Sequence, residues 1–82
     1  MRIDKWLYYA RLYKTRVKSS KACKEGDVMV NKLKKCNISY NISANDIITL
    51  IQNKKIKIVK ILKLPENRVH AKNIDKTYEI IY

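Results

Sequence analysis

Residues 2–31 have the sequence RIDKWLYYARLYKTRVKSSKACKEGDVMVN, and this stretch decides the fold of the chain. In its first half, apolar and aromatic side chains recur at the spacing of one helical face, which predicts a helix with a core-facing stripe. Asp4 and Arg11 share a strip outside this stripe, so we expect Asp4 to pair with Arg11 or with amides of the hairpin. The stripe comprises Ile3, Trp6, Leu7, Ala10 and Tyr13.

The second half of this stretch predicts another helix, with recognisable residues at its start and its end. Thr15 can accept a hydrogen bond from an amide of the first turn, and Gly26 suits the left-handed position just beyond the last turn. The residues expected to face the first helix are small, so the two helices can pack closely. They are Ser19, Ala22 and Cys23, opposite the exposed candidates Lys18, Lys21 and Lys24.

The remainder of the chain predicts a small, mostly antiparallel sheet, since short apolar runs alternate with turn-forming residues. Pro65 has no amide to donate and is expected to end the last of these strands. From Arg68 onward apolar residues recur at helical spacing, which predicts a short C-terminal helix, although residues 77–82 are also rich in strand-forming side chains. We expect strands over residues 27–30, 47–51 and 55–64, with turns over 31–35 and 52–54.

Two details of the sheet follow from smaller patterns. Residues 37–46 are rich in Asn and Ser, and we expect a loop held to the core by Ile38, Tyr40 and Ile42. The alternation on the last strand shifts by one residue near Val59, which favours a bulge there.

The predicted fold class is α+β, with residues 1–82 forming one small domain in which an N-terminal helical hairpin packs on the sheet.

The chain carries a large positive charge, with 19 Lys and Arg against 7 Asp and Glu and a formal net charge of +12. Residues 1–35 hold 11 basic and 3 acidic side chains, a balance of +8, whereas residues 36–82 balance to +4. Such an excess indicates a polyanion or an acidic membrane as partner, and the hairpin is the expected anion-binding face. A nucleotide bias that inflates lysine generally would explain part of the excess without any function.

The sequence disfavours several classes of protein. No apolar stretch approaches the roughly 20 residues that span a bilayer, and no secretory signal is visible, so we expect a cytoplasmic protein. Cys23 and Cys36 lack the close spacing of zinc ligands and His70 is the only histidine, which favours two reduced cysteines and neither metal nor cofactor. Gly26 is the only glycine, so there is no glycine-rich phosphate loop. Neither His70 nor Asp4 has the partners that acid–base or nucleophilic catalysis requires, and we expect no enzyme activity.

The first stretch resembles the S4-type RNA-binding domain, and within that superfamily the short bacterial ribosome-associated heat-shock protein 15 family. Lys32 stands where the family usually has the glycine of an Asn-Gly turn, and Asn45 stands where it usually has Gly before Asp. Asn tolerates the left-handed region, so that second turn is expected to survive. The resemblance rests on RIDKWL (2–7), AR (10–11), KTR (14–16), AC (22–23), Gly26, Val28 and VN (30–31).

This resemblance implies both a fold and a function. The fold is S4-like, with the αL motif as its helical hairpin. Proteins of this group bind large ribosomal subunits that still hold peptidyl-tRNA, so the implied function is recognition of structured ribosomal RNA or tRNA during ribosome rescue. The implied partner is large-subunit ribosomal RNA and possibly tRNA, and the resemblance favours RNA over DNA. Separately, we expect no membrane partner and a monomeric chain. The implied RNA surface comprises Arg2, Arg11, Lys14, Thr15, Arg16, Ser20 and Lys21, with Lys24, Lys32, Lys34 and Lys35 as flanking candidates.

Other interpretations compete with this one. The chain could be an assembly factor for ribosomal RNA, or the RNA-targeting subunit of a separate RNA-modifying enzyme. A single lysine is as readily a solvated surface charge as an RNA contact. Lys18 replaces a usually apolar residue of the family and would extend the basic patch. Tyr8 and Tyr9 could stack on bases, but tyrosines beside a core stripe more often pack against it.

Overall fold

The computed structural model describes residues 1–31 and 37–82. Its four strands form one antiparallel sheet in the order β1-β2-β3-β4, and the two N-terminal helices share a core with one face of it. This arrangement confirms the predicted α+β class. The elements are α1 (Ile3–Tyr9), α2 (Arg16–Lys24), β1 (Val28–Val30), β2 (Ile47–Gln52), β3 (Lys55–Ile61), a 3-10 helix (Ala71–Asn73), α3 (Ile74–Thr77) and β4 (Tyr78–Ile80).

The core-facing stripe of α1 is confirmed at four of its five residues, but the helix is shorter than the pattern predicts. Ile3, Trp6, Leu7 and Ala10 are buried, whereas α1 ends at Tyr9. Arg11 takes a left-handed φ of 65°, which directs the chain away from the helix axis. The fifth residue, Tyr13, therefore lies beyond the helix, where it is half-buried and packs against the core.

The start and end of α2 are the predicted ones. The Thr15 hydroxyl accepts a hydrogen bond from the Lys18 amide at 3.1 Å, and Gly26 follows the helix with a φ of +80°. The small residues predicted to face α1, Ser19, Ala22 and Cys23, are all buried. Cys36, the second cysteine of the predicted reduced pair, lies outside the described residues.

The strands β2 and β3 pair without interruption from Ile47 opposite Lys60 to Gln52 opposite Lys55. The bulge predicted near Val59 is therefore wrong. The apparent change of phase arises because the side of the sheet away from the helices also carries apolar residues, among them Ile56, whose side chain is 55% exposed.

The last quarter of the chain differs from its prediction. β3 ends at Ile61 instead of residue 64, because the amides of Leu62 and Lys63 both donate to the Thr77 carbonyl, at 2.9 and 3.1 Å. The predicted C-terminal helix ends at Thr77, and Tyr78 then begins strand β4 opposite Ile61. Pairing with β3 supplies the edge strand with hydrogen bonds that a longer helix could not make.

Asparagines, and in one turn a lysine, take the left-handed backbone conformation in the turns around the sheet. Asn45 has a φ of 75°, as expected for a turn that lacks its usual glycine. The turn between β2 and β3 places Asn53 and Lys54 at φ of 52° and 65°, values that suit a two-residue hairpin connection. Asn31 also has a positive φ, and the part of the predicted 31–35 turn after it lies outside the described residues.

The loop before β2 is held to the core as predicted. Ile42 is buried, and Ile38 and Tyr40 are partly buried and pack against the core cluster. The loop also pairs with the chain start, because the Ile3 amide donates to the Tyr40 carbonyl at 2.8 Å and the Ile42 amide to the Met1 carbonyl at 2.9 Å. These bonds fix the residues that precede α1.

A segment that crosses α1, residues 62–70, ties the sheet to the helical hairpin. The Trp6 indole donates to the Lys63 carbonyl at 2.9 Å, and the Val69 amide donates to the Tyr9 carbonyl at 2.9 Å. The Arg11 guanidinium donates to the Val69 carbonyl at 3.2 Å, which holds the connection between the helices. We call residues 62–70 the crossing segment.

Tyr13 lies in the connection between α1 and α2. Its hydroxyl is buried and has no hydrogen-bond partner among the described residues. Burial, and to a smaller extent the nearby charges of Cys23 and Asp27, together raise the pKa of Tyr13 to about 12, against an opposing effect of the Gln52 side chain. The Gln52 amide donates its hydrogen bond to the Leu12 carbonyl, at 2.8 Å. An unsatisfied buried hydroxyl costs about 1–3 kcal/mol.

Leu7→Ala is expected to lower the free energy of unfolding by about 2–5 kcal/mol, because the fully buried side chain leaves a cavity in the core. Denaturant titration followed by circular dichroism measures the change. Val17→Ala is the control, since its side chain is 78% exposed and should cost less than about 0.5 kcal/mol. Equal costs at the two positions would contradict the described burial.

Tyr13→Phe is expected to stabilise the fold by about 1 kcal/mol at pH 7, because it removes a buried hydroxyl that has no partner among the described residues. Above pH 10 the unfolded chain loses the Tyr13 proton, while the folded chain keeps it until about pH 12. The free energy of unfolding of the wild type should therefore decrease with pH relative to that of the variant. Urea titrations at pH 7 and pH 11 measure both effects, with the exposed Tyr82→Phe as control. A loss of stability at pH 7 would show that the hydroxyl has a partner.

Candidate nucleic-acid interface

A buried carboxylate organises the basic residues at the start of the chain. Asp4 is 2% exposed and accepts hydrogen bonds from Arg2 at 3.2 and 3.3 Å, from the Lys5 amide at 2.9 Å and from the Ser20 hydroxyl at 3.0 Å. The Arg16 guanidinium lies 3.7 Å from the same carboxylate. The side chains of Arg2 and Arg16 both remain 44% exposed. Asp4 thus holds two guanidinium groups side by side at the protein surface.

The predicted pairing of Asp4 with Arg11 is wrong, while the alternative prediction, bonding to amides of the hairpin, is confirmed by Lys5. Arg11 cannot reach Asp4 because its left-handed backbone turns the side chain toward the crossing segment, where it bonds to Val69. The helical strip on which the prediction rested ends at Tyr9, before Arg11 is reached.

A second contact fixes how α2 lies against α1. The Ser19 hydroxyl is fully buried and donates to the Asp4 carbonyl at 2.6 Å. Ser19 and Ser20 therefore bind the two ends of the same residue, its backbone oxygen and its carboxylate. The outward side of α2 is set in one orientation relative to Arg2.

That outward side, which we call the α2 face, is basic. Helix α2 reads RVKSSKACK and contains four basic residues and no acidic one. Lys21 lies 3.8 Å from Glu25 in an exposed pair, and such pairs contribute little. Val17 is 78% exposed in the middle of this surface. The α2 face forms a shallow groove of about 610 Å³ lined by Arg16, Val17, Ser20, Lys21 and Lys24.

Of the eight predicted RNA residues that the structure describes, five lie together on one surface. Arg2, Arg16 and Ser20 meet at Asp4, and Lys21 and Lys24 continue along α2. The Thr15 side chain caps the helix, Lys14 is exposed beside it, and Arg11 bonds to the crossing segment. Lys32, Lys34 and Lys35 lie outside the described residues.

The tyrosines of α1 lie beside cationic side chains of the protein and are not among the partly buried residues that pack against the core, so the packing interpretation stays a prediction. The Arg68 guanidinium lies 4.4 Å from the centre of the Tyr8 ring, and Lys5 lies 5.4 Å from that of Tyr9. Arg68 comes from the crossing segment, 60 residues further along the chain, so no local pattern could have indicated this contact.

Sequence reasoning missed one acidic residue beside this surface. Asp27 lies in a groove with Lys14 and Lys18, next to the connection between the helices. The signal for it was weak, because a lone Asp after a glycine stop is usually part of a turn. Lys18, recognised as a possible extension of the basic patch, is exposed and lines the same groove.

Residues 1–31 and 37–82 show neither a metal site nor a membrane span. Within those ranges no group of three or more His, Cys, Asp and Glu side chains is placed to hold a metal ion. None of the helices there has the length and apolar character needed to cross a membrane.

Comparison with known proteins agrees with the geometry. The family model described as the S4 domain matches residues 1–48, which include α1, α2 and β1. A solved structure described as the trimeric structure of Vibrio cholerae heat shock protein 15 is similar to this chain, with a TM-score of 0.90 and 31% sequence identity. The match covers 98% of this chain and 80% of that one. No curated protein gave a significant sequence match. The resemblance found in residues 2–31 is thereby confirmed, and the chain belongs to the S4 domain family.

Proposed function

We propose that this chain binds structured RNA of the large ribosomal subunit through the α2 face. Membership in the S4 domain family supports RNA binding in general. The similarity to a heat shock protein 15, together with the family resemblance, supports the ribosome as the place of action. The proposed role is recognition of subunits that hold stalled peptidyl-tRNA, in the cytoplasm and without enzyme activity.

The observation that carries the proposal is the fixed array of cations around α2. Arg2 and Arg16 are held beside each other by Asp4, while Lys21 and Lys24 extend the row along α2 by about two helical turns. Guanidinium groups and ammonium groups at such spacings can bind successive phosphates of a backbone. The surface matches structured RNA better than a single small anion, since it extends along the whole of a nine-residue helix.

The positions of these groups favour recognition by shape. In double-stranded RNA, proteins contact phosphates and ribose hydroxyls more than base edges, because the deep groove excludes side chains. The exposed Val17 and the half-buried Ser20 lie between the cations, where a ribose would meet an apolar surface and a hydroxyl.

The state of assembly stays a prediction. We propose a monomer, whereas the solved Vibrio cholerae heat shock protein 15 is described as trimeric. The side of the sheet away from the helices exposes Ile56, an apolar side chain that self-association would cover. Light scattering of the purified chain gives its mass in solution, and three times the mass of one chain would contradict the proposal.

Replacing Lys21 and Lys24 together by Ala is expected to weaken binding to large ribosomal subunits about 10–30-fold, at about 1 kcal/mol per phosphate contact. The slope of log affinity against log salt should become shallower by about 1.5–2, because fewer counterions are released. Both lysines lie on the exposed side of α2, so the fold should be unchanged.

The matched control replaces Lys72 and Lys76, which removes the same charge from the helical segment next to β4, at the opposite edge of the sheet from β1. Circular dichroism verifies that both double variants are folded. If the two variants lose equal affinity, binding depends on net charge alone and the α2 face is not the site.

Asp4→Asn is expected to weaken both the fold and RNA binding. Loss of the charged acceptor for Arg2 and Arg16 should cost about 1.5–3 kcal/mol of stability. Binding to ribosomal subunits should fall although the net charge rises by one, because the two guanidinium groups lose their shared anchor. Glu79→Gln, an exposed change of the same charge, should leave affinity equal or slightly higher. Equal gains for both variants, measured where both are folded, would contradict the positioning role of Asp4.

A further inference from the structure

A second groove lies beside the α2 face and combines residues that no single element supplies. It has a volume of about 450 Å³ and lies between the connection that joins α1 to α2 and the end of strand β2. The RNA contacts proposed for the α2 face do not involve this groove. The residues that matter for its chemistry are Leu12, Tyr13, Lys14, Lys18, Asp27 and Ile51.

The charged side chains of this groove include both signs. Lys14 and Lys18 are exposed, whereas Asp27 is half-buried. Among the described residues, the Asp27 carboxylate has neither a hydrogen bond nor an ion pair within 4 Å, although its backbone is bonded at both ends to Ala22 and Ile51. An unpaired carboxylate on the basic side of the protein repels phosphate. Its free acceptor oxygens suit a ligand that brings N–H donors.

The apolar groups of the groove suit a flat ring. Leu12 is buried and Ile51 is partly exposed, and both line the groove. Tyr13 also lines it, and its buried hydroxyl has no acceptor among the described residues. A flat ligand with N–H donors on one edge would satisfy Asp27, whereas the Tyr13 hydroxyl is too deeply buried to take part.

We infer that this groove accepts one unpaired guanine of the bound RNA, with the Watson–Crick edge of the base against Asp27 and its phosphates against Lys14 and Lys18. Guanine is the base whose edge places two N–H donors side by side, N1–H and N2–H, next to the O6 carbonyl. One carboxylate can accept both donors, as it does from an arginine. Unpaired bases that are turned out of a helix are the usual targets of sequence-specific RNA recognition.

The inference rests on the proposed function, because the α2 face must first bring RNA to this side of the protein. It adds a distinction between two kinds of contact. The α2 face contacts the RNA backbone and is insensitive to sequence, whereas the groove distinguishes one base from the other three.

The test is equilibrium binding of short RNA hairpins that carry a single bulged nucleotide, either G, A, C or U, in otherwise identical stems. The wild type is expected to bind the G-bulge hairpin about tenfold more tightly than the other three, the loss typical of one missing pair of charge-assisted hydrogen bonds. Equal affinity for all four hairpins would overturn the inference, and this measurement requires no variant.

Asp27→Asn distinguishes guanine recognition from purely electrostatic binding, because the two predict opposite changes in affinity for the G-bulge hairpin. The variant loses one negative charge, so purely electrostatic binding should strengthen for every hairpin. Under the inference, the preference for the G-bulge hairpin disappears while binding of the other three stays equal or strengthens. Asp75→Asn, an exposed change of the same charge in α3, should keep the preference.

The outcome for the groove is separable from the outcome for the α2 face. If the wild type shows no base preference while the Lys21 and Lys24 double variant still loses affinity and salt dependence, only the guanine site is wrong. If the double variant binds as well as its control, the proposed function is wrong whatever the base preference.

Discussion

A carboxylate that is buried away from water must accept hydrogen bonds from surrounding donors. Hydrogen bonding to the Asp4 carboxylate is the constraint on which the rest of this structure depends. Its donors come from the residue before α1, from α1 itself and from α2, so the two helices cannot separate without leaving a buried charge unpaired. Two of the surrounding groups are the guanidinium groups of Arg2 and Arg16. The interaction that fixes the helical hairpin is therefore also the one that arranges its surface charge.

The features that could be predicted from the sequence are those with local causes. The Thr15 cap, the glycine after α2 and the buried small residues of that helix each follow from a few neighbouring residues. The early end of α1, the true partner of Arg11 and strand β4 could not be predicted, because each depends on contacts with residues far away in the sequence. The bulge near Val59 was predicted on the assumption that only one side of the sheet is apolar, and Ile56 shows that it is not.

The candidate site divides in the same way. Helical spacing alone placed Lys18, Lys21 and Lys24 opposite the buried small residues of α2, although Lys21 and Lys24 line the α2 face and Lys18 lines the second groove. The second groove could not be found in this way, since Tyr13, Asp27 and Ile51 come from three separate parts of the chain. Backbone contacts need only a row of charge, which a single helix can supply. Discrimination between bases needs donors and acceptors that converge, and convergence is produced by tertiary structure.

The crossing segment has a consequence for the order in which this protein can fold. The bond between Ser19 and Asp4 spans 15 residues, whereas those from Trp6 and Arg11 to the crossing segment span 57 and 58. Contacts that are close in sequence form before distant ones, because they close shorter loops. During translation the basic hairpin therefore leaves the exit tunnel while the strands that cover its apolar side are still being made. The positively charged hairpin is thus the first part of the chain to meet ribosomal RNA, and its apolar side stays uncovered until the strands that follow it in the sequence have been made.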